Sequence, residues 1–406
     1  MIAVRRGCIA QIVLAVTALI SLVTFGGSAR AADPESHAQT SIIGGSAASI
    51  ASYPWIAHIR YRGSVEESSC GGSVVSPRLV LTAAHCVLTG TGKVGVASNF
   101  SVLTGVGDLR EATPERVTQV SHVLVFPEYK PSKILNDAAL LVLAAPVAAP
   151  PLPLATPSDA SLLAAGMPIA VAGWGLIDTT PPREPTVLRE AQSVVQSTSY
   201  CQRKLGQALS AYEPTSQVCV RSQSVPGASL CNGDSGGPAI ARRADGVAVQ
   251  IGIVSLKTSP DCDPRSPQVL ARADRVSSWV AAWTSAIELG TAAPAVVVPD
   301  VELPQVTRRD AELFAWLGLE FDFGSRFSKG RYHAIECRQV NREKVRCQVQ
   351  WLRGINFYRG GITIYAALPR EGFIYNYRYT IRRFNANCWL TYLHPIQACN
   401  PRVFKR

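Results

Sequence analysis

Between residues 52 and 275 the apolar and β-branched residues come in short runs, at 55–59, 73–82, 101–104, 139–143, 169–172 and 247–256, broken by Gly, Pro and Ser. Many short runs separated by turn residues predict strands, and strands at this spacing predict an all-β barrel or sandwich with long loops. The period then changes. Val276, Trp279, Val280, Trp283 and Ile287 recur every three or four residues, which predicts an amphipathic helix over 275–289. A Pro-, Ala- and Val-rich stretch without period at 290–307 predicts an extended linker. Beyond it the pattern gives one helix over 309–319 and four strands over 332–340, 344–352, 356–366 and 372–381. The turn Asn341-Arg342-Glu343 sets Cys337 across from Cys347. Residues 308–406 are therefore expected to form a small, disulfide-bonded α+β domain.

The N-terminus has its own pattern. Arg5 and Arg6 precede an apolar run over 9–25, and Ala29-Arg30-Ala31 follows it, the layout of a secretory signal peptide over 1–31. An uncleaved anchor is the weaker reading, because the run falls short of the roughly 20 residues that span a bilayer. The residues after the arginine pair, Gly7-Cys8-Ile9, fit a twin-arginine signal poorly, and the export route stays open. Cleavage removes Cys8 and leaves ten of the eleven cysteines, an even number suited to an oxidising, extracellular compartment. Cys337, Cys347, Cys388 and Cys399 lack the C-x-x-C spacing of a zinc site, so disulfides are expected there.

The chain of 406 residues is long enough for two domains, and its net charge of +11 is unevenly spread. Residues 301–406 hold 18 Lys/Arg against 8 Asp/Glu, whereas residues 42–300 hold 19 of each. Basicity thus belongs to the C-terminal part and bears on that part's partners. The same part holds 18 of the 30 aromatic residues, with Phe373, Tyr375, Tyr377 and Tyr379 alternating along one strand. Alternation puts those four on one face, either as the core face with Arg378 and Arg382 solvated opposite, or as an adhesive surface. An adhesive surface of aromatics and Arg suits an anionic polymer, a cell-wall polymer or an anionic membrane surface.

The chemistry concentrates in three segments. Ser235 lies in the octet C-N-G-D-S-G-G-P over 231–238, His85 in T-A-A-H-C over 82–86, and Asp137 in N-D-A-A-L-L-V-L over 136–143. A serine hydroxyl is a poor nucleophile unless a general base, an orienting acid and an oxyanion site assist it. Singly, each residue also has a bland reading as a structural histidine, a turn aspartate or a glycine-rich loop. Together, in this order and with Ile42-Ile43-Gly44-Gly45 and Gly173-Trp174-Gly175 beside them, the segments resemble the chymotrypsin-like (trypsin-like) serine proteases over about 42–290.

That resemblance implies a double six-stranded β-barrel with a C-terminal helix, and protein or peptide substrates. It implies that Ser235 is the nucleophile, His85 the base and then the acid, and Asp137 the residue that fixes the imidazole. Backbone N–H groups of Gly233 and Ser235 would form the oxyanion hole. It pairs Cys70 with Cys86, Cys201 with Cys219 and Cys231 with Cys262. The first of these closes a loop of about 15 residues, worth on the order of 3 kcal/mol in the chain-entropy model. It also implies a zymogen, with 32–41 as a propeptide and the freed amino group of Ile42 pairing with Asp234. Ser41 precedes Ile42 where the family usually has Arg or Lys, so the activating protease is unknown and not tryptic.

Specificity departs from trypsin as well. Six residues before Ser235 stands Ser229, where a tryptic pocket has its carboxylate, and an Arg or Lys side chain would be left unpaired there. Ser255-Leu256-Lys257 and Pro267-Gln268-Val269 replace both usual wall glycines with larger residues. A restricted pocket for small, polar or acidic side chains is expected, bounded by Ser229, Ser255, Lys257 and Gln268. No cofactor is expected, and no metal, since Glu115 is the one plausibly placed ligand in the loop over 106–115. Two other readings stay open beside the protease: a non-catalytic protease-like scaffold that displays the basic tail for adhesion, and a tail that inhibits until it is removed.

Overall fold

The computed structural model describes residues 42–64, 67–90, 92–179, 181–205, 212–222, 227–259, 261–291, 305–370, 373–385 and 402–406. The expected signal peptide and propeptide, most of the expected linker, Cys388, Cys399 and the side chains of Phe373 and Tyr375 lie outside the described residues.

A short strand β1 (Ser46–Ala47) leads into a closed antiparallel barrel of six strands. These are β2 (Ile56–Arg62), β3 (Glu67–Ser76), β4 (Leu79–Thr82), β5 (Phe100–Thr104), β6 (Val117–Val125) and β7 (Ala139–Leu143), in the order β2-β3-β4-β7-β6-β5. The run over 73–82 is two strands rather than one. A turn at Pro77 and Arg78 folds β4 back on β3, with Ser73 opposite Leu81, and Ser76-Pro77-Arg78 is the turn signal inside the run that marks the reversal. All five residues of β7 are buried, as befits a strand covered on both faces. Helix α1 (Ala84–Val87) follows β4 directly.

The second barrel starts at β8 (Pro168–Gly173), from which a small ribbon of β9 (Asp178–Thr179) and β10 (Pro182–Arg183) leads to β11 (Arg189–Val195). After helix α2 (Thr198–Leu205) come β12 (Gln217–Arg221), β13 (Pro238–Arg242), β14 (Ala248–Lys257) and β15 (Gln268–Arg272). The order is β11-β12-β15-β14-β13-β8, closed by the β11–β8 pair, with β1 added on β11. Each barrel has its own apolar core, and Tyr53, Ile56, Leu152, Trp174, Leu188 and Ile240 form a third cluster. Buried Gln250 of β14 links the barrels: it accepts from Ser73 Oγ at 2.6 Å and donates to Gly252 O at 3.1 Å. Helix α3 (Ser277–Glu288) then packs Val280 and Trp283 into the first barrel's core, with Trp279 edge-on to Phe126 at 5.2 Å. The three pairings Cys70–Cys86, Cys201–Cys219 and Cys231–Cys262 are all formed.

The C-terminal module has helix α4 (Arg308–Phe323), the short α5 (Ser325–Ser328), and an antiparallel sheet of β16 (Arg331–Asn341), β17 (Lys344–Arg353), β18 (Asn356–Arg370), β19 (Phe373–Asn385) and β20 (Arg402–Lys405) in that order. Helix α4 is longer than its apolar period predicts. Thr307 and Asp310 form a capping box at its start, and Gly324 ends it with φ +50°. Val306, at the end of the expected linker, is instead fully buried in the module's core and bonds to Arg342 O. Ala311, Ala315 and Leu319 of α4 are buried in one cluster with Val345, Cys347, Val349 and Ile362 of the sheet. Trp351 is fully buried, stacked on Tyr358 at 4.6 Å, and donates Nε1–H to Arg326 O at 2.9 Å. Cys337 and Cys347 are bonded, as the turn between them predicts. Tyr377 and Tyr379 pack against this core, with Tyr377 Oη donating to Asp322 at 2.9 Å, while Arg378 and Arg382 are exposed on the other face.

Candidate active site

His85 sits in the first turn after β4, a position that buries it to 3% exposure while the Cys70–Cys86 bond ties its helix to β3. Asp137 lies just before β7 and is fully buried. One carboxylate oxygen of Asp137 is 2.7 Å from His85 Nδ1, and the other accepts the His85 backbone N–H at 2.9 Å. Ser255 of β14 donates its hydroxyl to the first oxygen at 2.6 Å. Burial by itself would push the Asp137 carboxyl up, but His85 and the Ser255 hydroxyl outweigh it and hold the group below its ordinary value. Asp137 is thus a carboxylate, and His85 has its Nδ1 committed to it. The buried hydroxyl of Tyr129 is pushed well above its ordinary value, first by burial and then by the Asp137 charge. Cys70, His85 and Cys86 cluster closely enough to suggest a metal site, yet the two sulfurs are joined in the disulfide and offer no thiolates.

Ser235 is half-buried in the loop before β13. Its carbonyl oxygen accepts from Gly71 N at 2.7 Å and lies 3.6 Å from Cys86 Sγ, which places its backbone beside the histidine's helix. Two glycines shape this loop. Gly233 has φ +96°, and a Cβ there would meet Gly175 Cα at 3.0 Å. Gly236 has φ +82°, and its Cβ would come within 2.2 Å of Thr82 Oγ1. Both conformations belong to the left-handed region that only glycine enters without strain.

Asp234 points away from the cleft and is buried beneath the loop. Its oxygens accept from Gly175 N at 2.8 Å and Cys231 N at 2.9 Å. A Cβ on Gly173 or Gly175 would overlap this carboxylate at 2.3 Å, so the Gly-Trp-Gly segment is what leaves it room. Burial pushes the Asp234 carboxyl up to about 6, and the two N–H donors only partly offset that. Ile42 is fully buried in the second barrel's core, and Ile43 O accepts from Ser229 N at 2.8 Å.

The predicted pocket residues come together. Buried Gln268 donates Nε2–H to Ser229 Oγ at 2.5 Å and to Leu230 O at 2.9 Å and accepts from Leu230 N at 3.3 Å. Lys257 donates its ammonium to the side-chain oxygen of Asn232. The space left between Leu230, Asn232, Ser235, Val254 and Lys257 is ≈ 10 Å³, about one water. A larger cavity of ≈ 180 Å³, lined by Lys204, Tyr212, Thr258 and Pro267, contains none of the predicted catalytic residues. Two contributions escaped sequence reasoning. Ser255, expected as a pocket residue, also bonds to Asp137, and Asn232 engages Lys257. Neither could be read from spacing, since 118 and 25 residues separate the partners.

A family model described as Trypsin matches residues 42–280. Serine protease 56 of Mus musculus is 34% identical over 199 residues, 48% of this chain, but the match spans 31% of the relative's length. Chymotrypsin-C of Mus musculus is 31% identical over 245 residues, covering 59% of this chain and 87% of the relative. Granzyme C of Mus musculus is 31% identical over 244 residues, covering 59% of this chain and 89% of the relative. The two barrels, the buried His85–Asp137 pair and a family match over more than half the sequence agree: the chain belongs to the trypsin family of serine proteases.

Proposed function

We propose that the protein is a secreted serine endopeptidase that hydrolyses peptide bonds through an acyl-enzyme on Ser235. The observation that carries this reading is the buried 2.7 Å contact of Asp137 with His85 Nδ1. It fixes the ring so that Nε2 is the nitrogen that takes a proton. Ser235 Oγ attacks the scissile carbonyl as His85 removes its proton; the backbone N–H groups of Gly233 and Ser235 bind the oxyanion; His85 then protonates the leaving amine. Water repeats the sequence on the acyl-enzyme. Secretion is supported by four disulfides among the described residues, which persist in oxidising compartments. The test is hydrolysis of a peptide library by protein processed to begin at Ile42, with Ser235→Ala as control. Equal inertness of the two would leave the non-catalytic scaffold as the reading.

Activation runs through Asp234. In the intact chain its carboxyl is buried without a counter-charge among the described residues, and the amino group freed at Ile42 would supply one. The pH dependence has a definite sign. The folded pKa of about 6 exceeds the unfolded value near 3.9, so the folded chain binds more protons between those values. The stabilisation is full below about pH 4 and is lost as pH rises through 6, on the order of 3 kcal/mol. His58 works oppositely: burial, helped by Arg60, pushes it down to about 4, so it costs stability as pH falls below 6.5. Comparing urea unfolding of the intact chain with its Asp234→Asn variant from pH 4 to 7 cancels the His58 contribution. A declining difference is expected; parallel profiles contradict the Asp234 assignment.

The pocket is non-tryptic and shallow. With Gln268 anchored across Ser229 and Leu230, the floor is raised and carries no negative charge, so small aliphatic, polar or acidic P1 side chains fit it. Gln268→Gly is expected to raise kcat/KM for Phe at P1 by about tenfold or more, the scale of a few methylene groups gained in a pocket. A dominant preference of the wild type for Arg or Lys would sink this assignment.

A further inference from the structure

The sheet of the C-terminal module has two unlike faces. One is covered by α4; the other has no second layer among the described residues, and strand pairing brings its cations into register. Arg338 stands opposite Arg346, which is opposite Thr363, which is opposite Arg378. Four residues further along, Gln350, Arg359 and Arg382 stand in line across three strands. All five arginines are exposed, and none has a carboxylate partner among the described residues. Glu336 is the one acid in the described strands on this face, at its β16 edge.

Two of these pairs, Arg338 with Arg346 and Arg359 with Arg382, set like charges directly opposite each other, an arrangement that destabilises a sheet. Between the two cationic rows runs a row of Glu336, Gln348, Gly361, Thr380 and Lys405. Gly361 leaves the centre of that row without a side chain; even an added Cβ would find its nearest neighbour at 3.8 Å. The cationic rows are about 13 Å apart along the strands; Arg338 and Arg346, and Arg359 and Arg382, are about 5 Å apart across them, and Arg346 and Arg378, with Thr363 between, about 10 Å. The result is a shallow trough crossing the strands, walled by guanidinium groups and floored by amide and hydroxyl groups, with Glu336 at one end of the floor and Lys405 at the other.

We propose that this trough binds a linear acidic polysaccharide, its carboxylate or sulfate groups on the arginines and its hydroxyls on Gln348, Gln350 and Thr380. Arginine presents a planar fork that matches such anions in a bidentate way. A nucleic acid suits the face less, because the row between the cations offers no aromatic platform for bases and Tyr365 already lies under Arg378 at 5.9 Å. A bilayer suits it less too: on this face Val403, opposite Arg382, is exposed among the cations, whereas the exposed Leu313, Leu317 and Phe321 belong to α4, in the opposite layer. The proposal does not rest on the protease reading, since none of these residues belongs to the barrels.

The test uses the full chain with Ser235→Ala, so that no peptide bond is cut during titration. Binding of a fluorescent heparin dodecasaccharide is followed by anisotropy for this protein, for Arg346→Gln/Arg359→Gln/Arg382→Gln, and for Arg308→Gln/Arg309→Gln/Arg326→Gln. The two triple variants lose equal charge from opposite layers. Weakening by about tenfold or more is expected for the sheet variant and less than about twofold for the helix variant, with binding lost by about 0.3 M salt. The melting temperature of the sheet variant should be unchanged or raised, since two like-charge contacts are removed. Competition by polygalacturonate as strong as by heparin identifies carboxylate as the bound group; competition by heparin alone identifies sulfate. Equal weakening of both variants, no binding by the parent, or tighter binding to single-stranded DNA of matched charge or to phosphatidylglycerol vesicles would overturn the proposal.

Discussion

Replacing Ser235 by alanine is expected to lower kcat by about a hundred-thousandfold or more in protein that begins at Ile42, with KM little changed. The magnitude follows from what the hydroxyl does. Its oxygen is the one the proposed acyl-enzyme is built on, and the activity that remains is expected to come from binding and the oxyanion donors. The fold should tolerate the change, because the Ser235 carbonyl, not its hydroxyl, makes the 2.7 Å bond with Gly71 N that ties the loop to the first barrel. Single-turnover and steady-state assays on the same peptide check it. A loss of less than about a hundredfold would mean that Ser235 is not the nucleophile.

Asp137→Asn is the second large effect, with kcat expected to fall by roughly ten-thousandfold near neutral pH. The substitution is nearly isosteric, so the loss would not come from unfolding. A carboxylate accepts from His85 Nδ1–H, His85 N–H and Ser255 Oγ–H at once. An amide turned so that its oxygen keeps the backbone bond presents its NH₂ to both Nδ1 and Ser255 Oγ, so that the Ser255 hydroxyl must turn from donor to acceptor. The imidazole would then carry its proton on Nε2, the nitrogen that must receive one from Ser235. Ser255→Ala removes one of the three donors and should cost far less, about ten- to hundredfold, comparable to a single hydrogen bond to a charged group. Measuring kcat for both variants separates tautomer control from general packing; equal losses would contradict the role assigned to Asp137.

Much of this was legible before any coordinates. The short apolar runs announced the barrels, and the period of Val276, Val280 and Trp283 announced α3, because each run serves one element whose buried face repeats at a fixed spacing. The reversal within 73–82 could have been read from Ser76-Pro77-Arg78, which breaks the run with a turn signal. The strand β20, four residues long and half charged, was not legible, since it gains its place from pairing with β19. The end of α4 could have been read from Thr307, Asp310 and Gly324, which cap it. At the site, types and order single out His85, Asp137 and Ser235 as candidates, and the structure brings the first two into contact. Contacts across the barrels, such as Ser255 with Asp137, depend on strand register, and no local pattern encodes them. The cationic rows of the tail are of the same kind: their charge was countable, their alignment was not.

The most direct measurement is covalent trapping. A fluorophosphonate probe reacts with a serine only when a base activates it and an oxyanion site holds the phosphoryl oxygen. Protein processed to begin at Ile42 should take up one equivalent, and mass spectrometry should place the adduct on Ser235, with labelling abolished by His85→Ala. Absence of labelling, or an adduct on another residue, would contradict a catalytic serine in this chain.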